Sequence, residues 1–292
     1  MGGLTVPELV VALAAFTGAL VTGALGYGYS SITVPVALLF IPSRTLAPAL
    51  VLLELATNCL GLFTHRHQVP AVFRRMVPIL AGLLPGVAVG SWVLSSTSGG
   101  HIKLATYAVL LPLVIAQTAG LRWPIRREKT AAVPTGMAIG ALYSATTISG
   151  PPIALFLNNQ GLAQTEFRAA VYVIRVAESA LTTIVYLALG LFTAPSDTLA
   201  LHLLPTLVVG LPLGVVLLRR LDPESFRRIS MGANAAFISF GLARTVIDHQ
   251  LAPPVVAYAG MAVVAATEVV LVLRFFARRR TAVPAVAAAP RA

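Results

Sequence analysis

Two short polar stretches interrupt apolar segments of the sequence, and their residue types are suited to binding an anion. The first break consists of Gly26, Tyr27, Gly28, Tyr29, Ser30 and Ser31, and the second contains Thr146, Thr147, Ser149 and Gly150. Each break precedes a short apolar run that is predicted to be a helix. The first N–H groups of a helix lack intrahelical acceptors and carry partial positive charge, so they attract anions. Two such helix ends near the middle of a membrane predict a site for a small anion.

The charged residues Glu54, Arg175 and Glu178 lie well inside apolar segments and are the second candidate for chemistry. Glu54 is in the middle of 45–63, while Arg175 and Glu178 are three residues apart in 168–190 and therefore share a helix face. Aligning the two segments places Glu54 near Arg175. In one interpretation Arg175 binds the anion and Glu54 or Glu178 carries protons; in the other, a static ion pair holds the helices together. Both interpretations stay open.

The composition indicates that these residues belong to an integral membrane protein. Of 292 residues, 57% are hydrophobic and only 11% are charged, whereas soluble domains have about 25% charged residues. The formal net charge of +11 is concentrated in short loops, which predicts contact with a lipid bilayer and argues against nucleic-acid binding. The single cysteine, Cys59, allows no disulfide within the chain. No metal, cofactor or nucleotide motif is present, so the sequence predicts neither a cofactor nor an enzyme.

Hydropathy divides the chain into apolar runs that are predicted to form an all-α polytopic helical bundle. The runs are 6–26, 30–41, 45–63, 76–95, 102–120, 131–148, 151–158, 168–190, 200–218, 226–246 and 254–276. The second and seventh runs are close to half a membrane thickness, since an α-helix rises 1.5 Å per residue. Whether these short helices are re-entrant or cross the membrane fully is left open.

The chain also repeats itself. The sequence Gly-Ala-Leu at 23–25 recurs at 140–142, and Pro35 corresponds to Pro152. The repeats cover 6–120 and 131–246, followed by an extra transmembrane helix at 254–276 and a disordered tail at 281–292. Small residues in such breaks can instead serve close helix packing, but breaks at matching positions in both repeats favour a binding site.

Loop charge predicts that the two repeats are inverted in the membrane. The loop after 45–63 is basic, whereas its counterpart after 168–190 is not. In the next pair of loops the difference is reversed: the loop after 76–95 carries little charge, whereas its counterpart after 200–218 is strongly basic. The basic residues of these loops are Arg66, Arg74 and Arg75 in the first repeat and Arg219, Arg220, Arg227 and Arg228 in the second. The positive-inside rule then places the N-terminus outside and the C-terminus in the cytoplasm.

Three stretches make the chain similar to a known family. "GALGYGYSSITVP", "ALYSATTISGPPIALFLNNQGLAQTEFRAA" and "LRRLDPESFRRISMGANAAFISFGL" resemble, in order and spacing, the TauE/SafE family of sulfite exporters over about residues 7–246. The resemblance implies secondary transport, usually outward, of sulfite, sulfonates such as sulfoacetate, or related organic acids. The chain departs from the family pattern at Tyr27 and Tyr29, where further glycines are expected.

These observations predict a transporter of the bacterial cytoplasmic membrane that moves a small anion by alternating access. The anion site is expected to use both breaks and Arg175, with proton coupling through Glu54 or Glu178. The sequence is compatible with a homo-oligomer. An anion channel is the first alternative; an intramembrane enzyme that acts on lipids and a structural subunit of a membrane complex are weaker ones.

Overall fold

The chain folds into helices joined by short turns. A computed structural model describes residues 6–120, 128–157, 160–218 and 222–287, and no strand occurs in these ranges. The helices are α1 (Val6–Leu25), α2 (Tyr29–Ala37), α3 (Ser43–Thr64), α4 (Val69–Ser96), α5 (Gly99–Ala119), α6 (Glu128–Thr146), α7 (Gly150–Leu157), α8 (Gln164–Ala188), α9 (Ala194–Leu218), α10 (Pro223–Asp248) and α11 (Pro254–Ala287).

Every predicted apolar run corresponds to one helix, which confirms the all-α fold. Turn residues set many of the boundaries: Gly120 ends α5 in a left-handed conformation, and the Asp222 side chain accepts a hydrogen bond from the Ser225 amide at the start of α10. The last helix is longer than predicted, because residues 281–287, assigned to a disordered tail, continue α11. Residues 288–292, like Arg219 and Arg220, lie outside the described residues.

Length and apolar composition make the protein a multi-pass membrane protein. Within the described ranges, seven helices are long and apolar enough to cross a bilayer, namely α1, α3, α4, α5, α8, α9 and α11. The short helices α2 and α7 have 9 and 8 residues. The inverted orientation of the repeats stays a prediction.

Helices of the two predicted repeats pack against each other reciprocally. The first repeat contains α1 to α5 and the second contains α6 to α10. The first helix of each repeat packs on the fourth helix of the other repeat, so α1 contacts α9 and α6 contacts α4. The central helices α3 and α8 contact each other, as do the last helices α5 and α10. The short helices follow the same rule, since α2 contacts α10 and α7 contacts α5. Each break is thus enclosed by helices of both repeats.

Glycine allows the closest of these helix contacts. A Cβ atom at Gly82 or Gly86 of α4 would overlap the backbone carbonyl of Val133 or Met137 in α6. On the other side of the bundle, Gly214 of α9 meets the Leu20 carbonyl of α1 in the same way. Small residues let transmembrane backbones approach closely where the bilayer supplies no hydrophobic drive for association. These crossings fix the helices that carry both breaks.

Candidate functional site

The two breaks lie next to each other in the interior of the bundle. A Cβ atom built on Gly150, the first residue of α7, would be 3.0 Å from Tyr27 Cδ2 and 3.5 Å from Ser31 Oγ. Tyr27 belongs to the first break, and Ser31 is in the first turn of α2. The N-terminal ends of the two short helices are therefore neighbours, as the sequence predicted.

Glycine backbone shapes the first break. Gly26 and Gly28 have φ values of 86° and 120°, in the region that side chains with a Cβ atom avoid. Tyr29, Ser30 and Ser31 follow as the first turn of α2 and are each about 1% exposed. No side chain caps this helix, so the free N–H groups of its first turn stay available to an acceptor.

The threonine hydroxyl groups of the second break form hydrogen bonds with neighbouring backbone. Thr147 has a φ of 60°, which is unusual for a β-branched residue; its amide donates to the Tyr143 carbonyl and its hydroxyl to the Thr146 carbonyl, at 2.5 and 2.6 Å. The Thr146 hydroxyl donates to the Leu142 carbonyl and accepts from the Ile148 amide, at 2.7 and 3.2 Å. Both threonines, predicted as anion ligands, thus have their hydroxyl groups engaged with local backbone.

The charged residues Glu54, Arg175 and Glu178 form one buried cluster between α3 and α8. Arg175 Nη2 donates to Glu54 Oε1 at 2.7 Å, and Arg175 Nε donates to Asn58 Oδ1 at 3.2 Å. Arg175 Nη1 lies 3.9 Å from Glu178 Oε1. All four residues are buried, and the pairing of Glu54 with Arg175 is the one that the repeat alignment indicated.

A single hydrogen bond joins this cluster to the second break. Ser149 Oγ donates to Glu178 Oε1 at 2.5 Å, and both side chains are completely buried. Since Ser149 immediately precedes Gly150, the contacts run continuously from Ser31 through Gly150 and Ser149 to Glu178 and Arg175. These contacts join Ser31 of the first break and Ser149 and Gly150 of the second to the charge cluster; the role of these residues as an anion site stays a prediction.

Several buried polar atoms around this path have no hydrogen-bond partner among the described residues. The donors are Ser31 Oγ, Asn58 Nδ2 and Arg175 Nη1, and the acceptors are Glu54 Oε2 and Glu178 Oε2. In native proteins the large majority of buried polar atoms are hydrogen-bonded to protein or ordered water. Their concentration beside two helix N-termini marks this region as one that can receive a polar ligand.

Other polar contacts around the breaks were missed by the sequence interpretation. Tyr107 of α5 donates to the Pro35 carbonyl at 2.6 Å, and Gln117 Nε2 donates to the Pro151 carbonyl at 3.2 Å. Tyr143 of α6 is fully buried, and its hydroxyl group has no hydrogen-bond partner among the described residues. The only sequence signal for such residues is a tyrosine or glutamine inside an apolar run, because a buried hydroxyl or amide group usually has a hydrogen-bond partner.

Comparison with known families confirms the resemblance found in the sequence. The family model described as "Sulfite exporter TauE/SafE" matches residues 10–241. This range includes both breaks and the charge cluster and excludes α11. No curated protein and no solved structure matches the chain.

Proposed function

Because the chain belongs to the TauE/SafE sulfite exporter family, a family of membrane transporters, we propose that it is a secondary transporter of a small anion. The substrate is sulfite, a sulfonate such as sulfoacetate, or a related organic acid, and it is moved outward across the bacterial cytoplasmic membrane. Transport proceeds by alternating access to a site between the two breaks. The basic loops support an outside N-terminus and a cytoplasmic C-terminus.

The observation that carries this proposal is the set of buried donors without acceptors. Ser31 Oγ, Asn58 Nδ2 and Arg175 Nη1 all offer hydrogen atoms, and the first turn of α2 adds backbone N–H groups. The first turn of α7 adds at most the Gly150 N–H, because Pro151 and Pro152 have none and the Ile153 N–H donates to the Ser149 carbonyl. A sulfite or sulfonate group presents several oxygen acceptors and negative charge, which match donors of this kind. Arg175 is the charged ligand, while Thr146 and Thr147 hold the shape of the second break.

Charge balance supports Glu178 as the proton carrier. The cluster contains one arginine and two carboxyl groups, and Glu54 makes the shorter contact with Arg175, 2.7 Å against 3.9 Å. An incoming anion adds negative charge to a buried space, where uncompensated charge is strongly unfavourable. A proton on Glu178 offsets this charge, with Ser149 bonded to one carboxyl oxygen and the other oxygen free to hold the proton. Glu54 remains the fixed partner of Arg175.

The test is flux of labelled sulfite and of a labelled sulfonate in proteoliposomes. Arg175→Lys keeps the positive charge but loses the planar group that contacts Glu54 and Asn58 together. We expect at least about a tenfold loss of flux, since a hydrogen bond to a charged group contributes about 1.5–3 kcal/mol. The matched control is Arg244→Lys, because Arg244 is an exposed arginine of α10 outside the site.

Two results would contradict the proposal. Wild-type flux in folded Arg175→Lys protein removes Arg175 from the site, and flux that never saturates with substrate identifies a channel instead. A thermal-shift screen of purified protein gives an independent check, because a ligand at 100 times its Kd adds about 2.7 kcal/mol to the free energy of unfolding. A screen in which neither sulfite nor any sulfonate stabilises the protein argues for a different substrate class.

A further inference from the structure

A lateral groove lies beside the first break and is not part of the proposed anion site. It has a volume of about 480 Å³ and is bordered by α1, α3, α8 and α9. One wall is a continuous apolar face of α9, formed by Leu204, Leu207, Val208, Leu211, Pro212 and Val215. Val208 is 64% exposed, so in a membrane this wall faces the lipid.

One end of the groove carries a cation and hydrogen-bonding groups. Arg168, Tyr172 and His65 line it there, and the rings of His65 and Tyr172 lie 5.3 Å apart. The end corresponds to the C-terminus of α3 and the N-terminal part of α8, next to the turn that carries Arg66. It is therefore located at the membrane interface that the basic loops assign to the cytoplasm.

Arg168 has positive charge to offer a ligand. Its Nη2 donates to the Ala24 carbonyl at 2.8 Å, and no carboxylate within the described ranges forms an ion pair with it. The nearest acid in sequence, Glu166, instead accepts a hydrogen bond from the Ala163 amide. Tyr172 packs over Gly61, where a Cβ atom would overlap its ring. In α8, Tyr172 lies about one turn from Arg168 on one side and about one turn from Arg175 on the other, so it stands between the groove and the charge cluster.

We propose that this groove binds an anionic phospholipid, with the phosphate held by Arg168 and an acyl chain lying along α9. The pairing follows from chemistry: a basic group at the interface next to a lipid-facing apolar wall complements a phosphate attached to a hydrocarbon chain. Basic pockets between transmembrane helices on the cytoplasmic side bind anionic headgroups in this way. A free inorganic anion would make no favourable contact with the apolar wall. A second copy of the chain would fit a concave groove poorly.

The opposite side of the bundle shows that the charge is particular to this groove. A second lateral groove of about 700 Å³ lies beside the second break, lined by α4, α5, α6 and Pro152. Among the described residues that line it, none is charged. The alignment that pairs Glu54 with Arg175 places Ala47 opposite Arg168. Ala47 is buried and packs with Val51 and Tyr143, so Arg168 has no aligned basic residue in the first repeat. Arg44, at the same end of α3, donates instead to the carbonyls of Leu94, Ser95 and Thr97.

Native mass spectrometry of the full chain in detergent tests the proposal with phosphatidylglycerol, phosphatidylcholine and inorganic phosphate as separate probes. We expect bound phosphatidylglycerol in preference to phosphatidylcholine. Arg168→Ala should weaken its binding about fivefold, because one basic residue contributes about 1 kcal/mol to anionic lipid binding. Arg244→Ala, which removes an exposed arginine elsewhere, should leave lipid binding unchanged.

A second pair of variants tests the apolar wall without touching the charge. Val208→Trp fills the groove and should reduce phosphatidylglycerol binding, whereas Val209→Trp, one residue away and outside the groove, should not. Unchanged lipid binding in both Arg168→Ala and Val208→Trp overturns the proposal. It is also overturned if inorganic phosphate binds with the same dependence on Arg168, or if Val208→Trp abolishes a dimer rather than a lipid adduct.

Discussion

The two breaks perform the same structural task with different residues. The first turns through Gly26 and Gly28, both with positive φ, and leaves the Ser31 hydroxyl without a partner among the described residues. The second turns through Thr147, whose positive φ is held by hydrogen bonds to neighbouring backbone, and its Ser149 hydroxyl is bonded to Glu178. One break therefore has a free donor, and the other has its donors in use.

This difference suggests that the repeats divide the work of transport. In the proposed mechanism, the anion needs donors that are not yet satisfied, and the first break supplies the Ser31 hydroxyl group next to Gly150. In the same proposal, proton exchange needs a carboxyl group held in place, and the second break supplies that contact through the hydrogen bond from Ser149 to Glu178. Similar sequences at matching positions thus have different chemistry, because Ser149 of the second break is bonded to Glu178 of α8, whereas the Ser31 hydroxyl has no partner among the described residues.

The largest expected effect comes from removing the charge between the breaks. Arg175→Met leaves the Glu54 carboxylate buried without its partner, which should destabilise the protein by about 3–5 kcal/mol. The double variant Arg175→Met with Glu54→Gln removes both charges and should regain most of this loss, if Glu178 is neutral. Denaturant unfolding in micelles measures both. If the double variant regains none of the lost free energy of unfolding, Glu178 is charged, which would contradict the proposed proton on its carboxyl group.

The next effect tests whether the first break depends on glycine. Gly28→Ala forces a Cβ atom into a left-handed backbone and within 2.8 Å of Val21 Cγ1, so we expect a loss of about 3 kcal/mol in unfolding free energy. Gly161→Ala is the matched control, because Gly161 has a φ of 63° with no atom near its Cβ position. It should lose only about 1 kcal/mol. Equal losses would show that packing against Val21 is unimportant.

The proposed division of work is tested most directly by the two serines. Ser31→Ala should weaken anion affinity at least about tenfold, since a hydrogen bond to a charged group contributes about 1.5–3 kcal/mol. Ser149→Ala should leave affinity nearly unchanged but change the pH dependence of flux, because it removes the hydrogen bond to the Glu178 carboxyl group. Saturation curves and pH profiles of sulfite flux separate the two effects. The reverse assignment of affinity and pH effects would exchange the roles of the breaks.

The sequence predicted the parts of this site that depend on local pattern. Hydropathy and turn residues located every helix, and the repeat alignment placed Glu54 near Arg175. The sequence did not predict the hydrogen bond between Ser149 and Glu178, because that contact depends on how α7 packs against α8. Nor did it show that Thr146 and Thr147 direct their hydroxyl groups to backbone, since a threonine in a break reads the same whether it faces a ligand or its own turn.

The smallest expected effect concerns the second break and the residue at its turn. Thr147→Gly removes the side chain that makes a positive φ unfavourable, a gain of about 1–2 kcal/mol, but it also loses the hydroxyl bond to the Thr146 carbonyl, worth about 1 kcal/mol. Glycine in addition has more freedom in the unfolded chain. We therefore expect a net change within about 1 kcal/mol, measured by the same unfolding titration. Thr147→Ala keeps the strain and loses the bond, so it should be less stable than Thr147→Gly. Because both variants lack the hydroxyl group, the opposite order would mean that the strain of the positive φ is smaller than the cost of glycine's freedom in the unfolded chain.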